Sequence, residues 1–147
     1  MLDLGVDGTS VGLPSSYYNK IGSPEGTILD SGTNTFVIGG EAFDAVEKLM
    51  LAQCDQEPLQ GVCNVPQDKN LFSGACFPMD AADIDAFPSV YVTLDQASPL
   101  SIGGQQYLIQ HPEKDGHYCL GIQSSGPSGF TILGNVFQVS WCALTNK

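Results

Sequence analysis

The N-terminal segment alternates between apolar and polar positions. Leu2, Leu4 and Val6 are separated by polar or small residues, and Asp7-Gly8 follows directly. A period of two predicts a half-buried strand, and Asp-Gly between extended segments is a strong signal for a tight hairpin. The chain is therefore predicted to begin with a β-hairpin.

Further apolar runs along the chain predict short strands. The run Thr27–Leu29 reads as a short buried strand that ends in a turn at Asp30–Gly32. Leu100–Ile102 and Tyr107–Ile109, with Gly103-Gly104 between them, predict a second hairpin. The remaining predicted strands are Phe36–Ile38, Phe87–Leu94, Tyr118–Ile122 and Phe130–Leu133.

The period changes after Gly40 and predicts one helix of roughly three turns. The predicted apolar face carries Phe43, Val46, Leu49 and Met50, and the predicted solvent face carries Glu41, Asp44, Glu47 and Lys48. The stretch from Gln53 to Ala75 has little periodicity and reads as a loop region held by cysteines. The fold is thus predicted to be mainly β, with one clear helix, in a single domain over residues 1–147.

The charge of the chain excludes some classes of binding partner. The chain has 147 residues, 16 of them acidic and 5 basic, for a formal net charge of −11. Such a surface repels nucleic-acid phosphates and anionic lipids, so we expect neither as a partner. The sequence has no run of eighteen apolar residues and therefore predicts no membrane-spanning segment. It has neither a zinc-type arrangement of Cys and His nor a phosphate-binding motif, so we expect no metal and no cofactor.

Five cysteines stand at positions 54, 63, 76, 119 and 142. They are interpreted either as disulfides formed in an oxidising compartment or as buried free thiols, and spacing alone does not choose a pairing. The N-terminus lacks the basic and apolar regions of a signal peptide. An oxidising history without an export signal leads us to expect that the chain is a piece of a longer protein.

Asp30 is the strongest candidate for chemistry. Peptide hydrolysis by carboxylates needs two of them sharing a proton, one to activate water and one to polarise the carbonyl. Asp30 follows an apolar strand, and the hydroxyls of Ser31 and Thr33 could orient its carboxylate. Asp-Ser-Gly is also an ordinary turn sequence, so these three residues alone would carry little weight.

The surrounding motifs carry a specific resemblance. The run Thr27-Ile28-Leu29-Asp30-Ser31-Gly32-Thr33-Asn34-Thr35 resembles the second active-site motif of pepsin-like aspartic peptidases. The helix after it, the Phe87–Leu94 strand, the Tyr118–Ile122 strand and the run Ile132-Leu133-Gly134-Asn135-Val136-Phe137 resemble later elements of that family in the same order. The likeness covers about residues 2–140 and matches the C-terminal lobe alone. It implies a single pepsin-like half-barrel lobe.

The resemblance also implies roles for individual residues. It makes Asp30 catalytic, with Ser31, Gly32 and Thr33 supporting it in the loop and Ile132, Leu133 and Gly134 supporting it from behind. It places Asn34 and Thr35 near the substrate cleft. It pairs Cys76 with Cys119, which leaves Cys54 and Cys63 to close a local loop. It implies neither a metal nor a cofactor.

The sequence departs from the family pattern in two ways. It contains one Asp-Ser-Gly motif where a whole peptidase has two such motifs, and the tail at about 138–147, with Cys142, does not match the family's ending. We therefore expect an aspartic endopeptidase lobe that acts on polypeptide together with an N-terminal lobe or a second copy of itself, and that is inactive as a monomer. The alternative is a non-catalytic module that binds peptides or a partner. Family and cysteines imply a secretory, endolysosomal, vacuolar or extracellular setting.

Overall fold

A computed structural model describes residues 1–19 and 26–138 of the chain. The atypical tail predicted at about 138–147, including Cys142, therefore lies outside the described residues except for Gln138. Within them the fold is mainly β with a single helix longer than two turns, as predicted. None of the helices in the described ranges is long and apolar enough to cross a membrane.

The described elements are short strands joined by turns and brief helices. The strands are β1 (Asp3–Val6), β2 (Thr9–Ser10), β3 (Thr27–Leu29), β4 (Phe36–Ile38), β5 (Phe77–Pro78), β6 (Val90–Thr93), β7 (Leu100–Ile102), β8 (Leu108–Gln110), β9 (His117–Leu120), β10 (Ile122–Ser124) and β11 (Thr131–Leu133). The α-helices are α1 (Ser15–Tyr18), α2 (Gly40–Leu51), α3 (Ala81–Asp85) and α4 (Gly104–Tyr107), and residues 135–138 are also helical. Single 3₁₀ turns occupy Gln67–Lys69, Leu71–Ser73 and Gly126–Ser128.

The first sheet contains the predicted N-terminal hairpin. Its strand order is β2-β1-β6-β7, all antiparallel. Asp7 and Gly8 both have positive φ, 49° and 80°, as a two-residue hairpin turn with the right twist requires. Leu4 and Val6 are buried on the inner face, so the alternation predicted this element correctly.

The second sheet is mixed and carries the candidate site. Its order is β10-β4-β11-β3; β11 runs parallel to β3 and antiparallel to β4, and β10 runs parallel to β4. Among the described strands β3 is therefore an edge. The prediction of a buried strand was wrong here, because Ile28 is 54 % exposed and Leu29 53 % exposed. Both side chains project from an edge that no other described element covers.

The third sheet, in the order β5-β9-β8, overturns the predicted second hairpin. Strand β7 pairs with β6, and β8 pairs with β9, so the two segments do not pair with each other. Gly103-Gly104 does not form a hairpin turn but begins α4. A Cβ on Gly104 would lie 2.3 Å from the carbonyl oxygen of Ile84, and the Tyr107 hydroxyl donates to the carbonyl of Pro88 at 2.6 Å. These tertiary contacts replace the local turn.

Several strands are shorter than their apolar runs. The predicted Tyr118–Ile122 strand is divided at Gly121 between β9 and β10. The Gly121 N–H donates to the carbonyl of Tyr107 at 2.6 Å, and a Cβ at this position would lie 2.8 Å from the same oxygen. The close approach bends the chain from one sheet into the next. Likewise, the predicted strand Phe87–Leu94 forms only the shorter strand β6, and the predicted strand Phe130–Leu133 forms β11.

Helix α2 confirms the predicted helix but not all of its faces. Val46 and Met50 are fully buried, as predicted. Glu47, predicted on the solvent face, is only 8 % exposed, and its Oε1 accepts a hydrogen bond from Asn70 Nδ2 at 2.8 Å. Glu47 lies on the same helical stripe as Phe43, Val46 and Met50, so its side chain faces inward. Its buried carboxyl group is stabilised by the hydrogen bond from Asn70.

The core joins helix α2 to all three sheets. Its largest fully buried side chains are Tyr18, Tyr107, Phe36, Phe137, Leu4, Ile38, Met50, Leu59, Leu71, Ile102, Leu133 and Val6. The rings of Phe36 and Phe137 pack edge to face with centroids 4.8 Å apart. This contact anchors the helical residues after β11 against β4, and β11 itself pairs with the strand that leads to Asp30.

Candidate active site

The loop at Asp30 begins where two like segments of the chain pair side by side. Strand β3 and strand β11 both read Thr-Ile-Leu, and they pair in parallel and in register, with Leu29 opposite Leu133. The Asp30 N–H donates to the Leu133 carbonyl at 3.2 Å, which extends the ladder by one step. The position of Asp30 is therefore set by sheet pairing.

Local hydrogen bonds hold both carboxylate oxygens of Asp30. The Thr33 hydroxyl donates to Oδ2 at 2.7 Å, and the Gly32 N–H donates to Oδ1 at 2.9 Å. The hydrogen bond from Thr33, and then that from Gly32, lowers the pKa of Asp30 below its ordinary value, while slight desolvation opposes the shift. Asp30 is partly exposed. The carboxylate is therefore oriented, accessible and favoured in its ionised form.

Gly134 and Asn135 lie directly behind this loop. A Cβ on Gly134 would lie 2.1 Å from the carbonyl oxygen of Thr35 and 2.4 Å from that of Thr33. The Asn135 N–H donates to the Thr33 carbonyl at 2.8 Å. Only glycine permits an approach this close, so the segment after β11 supports the backbone that carries Thr33.

The other predicted site residues occupy the outer part of the same loop. Ser31 is exposed, and its hydroxyl has no hydrogen-bond partner among the described residues. Asn34 Oδ1 accepts a hydrogen bond from Asn135 Nδ2 at 3.1 Å. Thr35 is partly exposed, and its hydroxyl lies 3.4 Å from Gln123 Oε1, a long hydrogen bond. The predicted residues Asp30–Thr35 and Ile132–Gly134 thus come together in one place.

A second carboxylate is not part of this arrangement in the described ranges. The hydrogen bonds of Asp30 go to Thr33, Gly32 and the backbone, with no acidic side chain among the partners. The same ranges contain no cluster of three or more His, Cys, Asp or Glu side chains that could hold a metal ion. The chemistry available here is that of one oriented carboxylate.

Comparison with known families supplies the context. The model of the family described as "Xylanase inhibitor C-terminal" matches residues 2–142. The chain belongs to this family. It is a pepsin-like aspartic-peptidase domain of the C-terminal-lobe type, in agreement with the resemblance found in the sequence. A search of curated proteins returned no match.

The predicted disulfides of this xylanase-inhibitor-type C-terminal domain are confirmed. Cys54 bonds to Cys63 with an S–S distance of 2.04 Å, and Cys76 bonds to Cys119 at 2.05 Å. The first closes the loop after α2, and the second ties the segment before β5 to β9. Both bonds and the family fit a protein of the secretory route or the vacuole.

Asn135 is a residue to which the sequence reasoning gave no role. It belongs to the Ile-Leu-Gly-Asn-Val-Phe run, and it contacts both Thr33 and Asn34 through the two hydrogen bonds above. A signal for it was present in the sequence. Gly134 follows a strand that pairs with the strand leading to Asp30. The residue directly after Gly134 must therefore lie beside the Asp30 loop.

Proposed function

We propose that the chain is the C-terminal lobe of an aspartic endopeptidase and contributes Asp30 as one of two catalytic carboxylates. The observation that carries this proposal is the pair of hydrogen bonds, from Thr33 and Gly32, that orient both oxygens of a partly exposed aspartate at the end of β3. Family membership supports the same assignment. Ser31, exposed beside Asp30, would contact the second lobe, and Asn34 and Thr35 would border the substrate.

The proposed reaction is hydrolysis of a peptide bond by activated water. With one proton shared between two carboxylates, the ionised one removes a proton from water while the protonated one donates a hydrogen bond to the scissile carbonyl oxygen. Water oxygen bonds to the carbonyl carbon, and the C–N bond then breaks as the amine receives a proton. Asp30 supplies one of these two groups, and Thr33 and Gly32 hold it in position.

A single carboxylate is insufficient for this reaction. Among the described residues Asp30 has no carboxylate partner to share the proton, so the monomeric chain is expected to be inactive. A second carboxylate must come from an N-terminal lobe or from a second copy related by a two-fold axis. The proposed substrate is polypeptide, and the proposed setting is secretory, endolysosomal, vacuolar or extracellular.

Reconstitution with a second lobe tests the proposal. The chain is refolded with the N-terminal lobe of a pepsin-type peptidase and assayed on an unfolded protein at about pH 4, where one carboxyl group of such a coupled pair is ionised and the other still holds its proton. We expect cleavage by the complex, none by the monomer, and loss of activity in Asp30→Asn. The matched control Asp7→Asn removes an exposed carboxylate from the hairpin turn and should retain activity. Cleavage by a folded Asp30→Asn complex would reject the proposal.

The family's description favours a second candidate, a non-catalytic lobe that binds a partner enzyme. In that case the same complex would form without cleaving any substrate, and it would reduce xylan hydrolysis by an added xylanase. Measuring both activities on one preparation separates the two functions. Inhibition that survives Asp30→Asn, without proteolysis in the unmodified complex, would favour the second candidate.

A further inference from the structure

A small pocket lies against the loop that follows Asp30. Its volume is about 280 Å³, below the roughly 300–1,000 Å³ typical of sites for whole drug-sized ligands. Four of the six lining side chains are amides, and the other two are apolar: Asn34, Gln105, Gln106, Asn135, Ile109 and Val136. The size suits one side chain of a larger ligand, and the lining combines a mainly apolar surface with four amide groups and no ionisable group.

Each of the two glutamine amides makes one hydrogen bond to a protein partner. Gln106 Oε1 accepts a hydrogen bond from the Gly103 N–H at 2.8 Å, and Gln105 Nε2 donates to Asp85 Oδ1 at 2.8 Å. The Gln106 NH₂ group and Gln105 Oε1 have no hydrogen-bond partner among the described residues. The two glutamines therefore offer one free donor group and one free acceptor.

The two asparagines likewise provide one free donor group and one free acceptor. Asn135 Nδ2 donates to Asn34 Oδ1 at 3.1 Å, which leaves the Asn34 NH₂ group as a donor and Asn135 Oδ1 as an acceptor. Turning both amides round reverses the direction of this bond but still leaves one donor and one acceptor. The hydrogen-bonding character of the pocket is therefore the same in either orientation.

This character matches an uncharged carboxamide. A primary amide has one acceptor oxygen and two N–H donors, so it can accept from one free NH₂ group and donate to a free oxygen, while its methylene groups contact Ile109 and Val136. A carboxylate would find no cation and would face the unpaired oxygens, and an ammonium group would find no carboxylate among the lining residues. Neither charged group would therefore gain an ion pair from the lining. An apolar side chain would contact Ile109 and Val136 but would make no hydrogen bond to the four amides.

We propose that this pocket is a specificity subsite that takes a glutamine or asparagine side chain of a peptide bound along the Asp30 loop. The inference rests on the proposed function in that the peptide is the substrate. It goes further because it names the side chain that the lobe selects and assigns that selection to Gln105, Gln106 and Asn135 together with Asn34.

Peptide binding to the chain itself tests the subsite without requiring catalysis. Capped eight-residue peptides of Ala and Ser carry one variable residue, Gln, Glu, Lys or Leu, at each position in turn. Binding is followed by NMR through the side-chain NH₂ resonances of the chain. At one position the Gln peptide is expected to bind roughly five- to tenfold more tightly than the other three, a ratio that two net hydrogen bonds account for. Its largest shifts should fall on the four lining amides.

A matched pair of charge variants provides the control. Gln106→Glu places a carboxylate in the lining and should abolish the preference for Gln and favour the Lys peptide. Gln56→Glu adds the same charge at an exposed position outside the lining and should leave the preference unchanged. Absence of a Gln preference at every position, or a preference that survives in folded Gln106→Glu, would overturn the subsite. Failure of reconstituted proteolysis with the Gln preference intact would instead reject the peptidase proposal alone.

Discussion

Replacing Gly134 by alanine tests whether the segment after β11 holds the Asp30 loop. The added Cβ would lie 2.1 Å from the Thr35 carbonyl oxygen and 2.4 Å from the Thr33 carbonyl oxygen. Both atoms belong to the backbone of the loop, so neither can rotate away as a side chain could. We expect the loop to shift and the Thr33–Asp30 hydrogen bond to lengthen or break.

The size of the effect follows from the two contacts. Overpacking a well-packed site costs about 1–3 kcal/mol, and two backbone contacts below 3 Å place this variant near the upper end, at about 3 kcal/mol. For a chain of this length each kcal/mol lowers the midpoint of thermal unfolding by roughly 2–4 °C. The expected decrease is therefore roughly 6–12 °C, accompanied by a rise in the pKa of Asp30.

Thermal unfolding by circular dichroism measures the first effect, and an NMR titration of the Asp30 carboxyl carbon measures the second. Gly103→Ala is the matched control, because φ there is −98° and the nearest atom to the new Cβ is Gln106 Oε1 at 3.4 Å. It should cost no more than about 1 kcal/mol. If Gly134→Ala were no less stable than Gly103→Ala and left the pKa of Asp30 unchanged, the support assigned to Gly134 would be refuted.

Three further changes have definite expected outcomes. Thr33→Val removes the stronger donor to Asp30 and should raise the pKa of that carboxyl in an NMR titration. This pKa is lower in the folded than in the unfolded chain. The stability that it contributes is therefore present above about pH 4 and is lost as the pH falls through the folded value. The Thr33→Val variant should accordingly lose less stability on acidification than the unmodified chain. Replacing Cys76 and Cys119 together by alanine opens a 43-residue span and should lower the free energy of unfolding in denaturant by about 4 kcal/mol. The same replacement of Cys54 and Cys63 opens a nine-residue span and should lower it by about 2.5 kcal/mol. The reverse order would contradict the loop-entropy argument. Leu29→Lys should change the free energy of unfolding by less than about 1 kcal/mol, because the side chain is 53 % exposed, and a larger loss would mean that Leu29 is buried in solution.

The features that could be predicted from the sequence are those that local chemistry controls. Asp7-Gly8 forms its hairpin because both residues tolerate positive φ. The period of apolar residues from Phe43 to Met50 correctly predicted α2. The family resemblance implied that Gly134 supports Asp30, and these residues do come together, because parallel pairing of the like segments Thr27–Leu29 and Thr131–Leu133 aligns their ends.

The features that could not be predicted depend on distant contacts. Strand β7 pairs with β6 because Gly104 packs against the Ile84 carbonyl and Tyr107 is anchored at Pro88, neither of which a local pattern reveals. Glu47 is buried because Asn70, 23 residues further along, supplies a hydrogen bond. The amide pocket likewise joins side chains from three separate stretches of sequence.

The wrong prediction for β3 is itself informative about function. Two adjacent large apolar side chains on a strand normally indicate burial, yet Ile28 and Leu29 each remain more than half exposed at a sheet edge. Full burial of such side chains contributes about 1.5–3 kcal/mol each, so covering the exposed half of both would contribute roughly 1.5–3 kcal/mol to an association, or about 10- to 150-fold in affinity. These residues immediately precede Asp30. Under the proposed function, the lobe that covers them would also bring the second carboxylate, and a single partner would account for two features of the described residues, the exposed apolar edge and the aspartate without a second carboxylate.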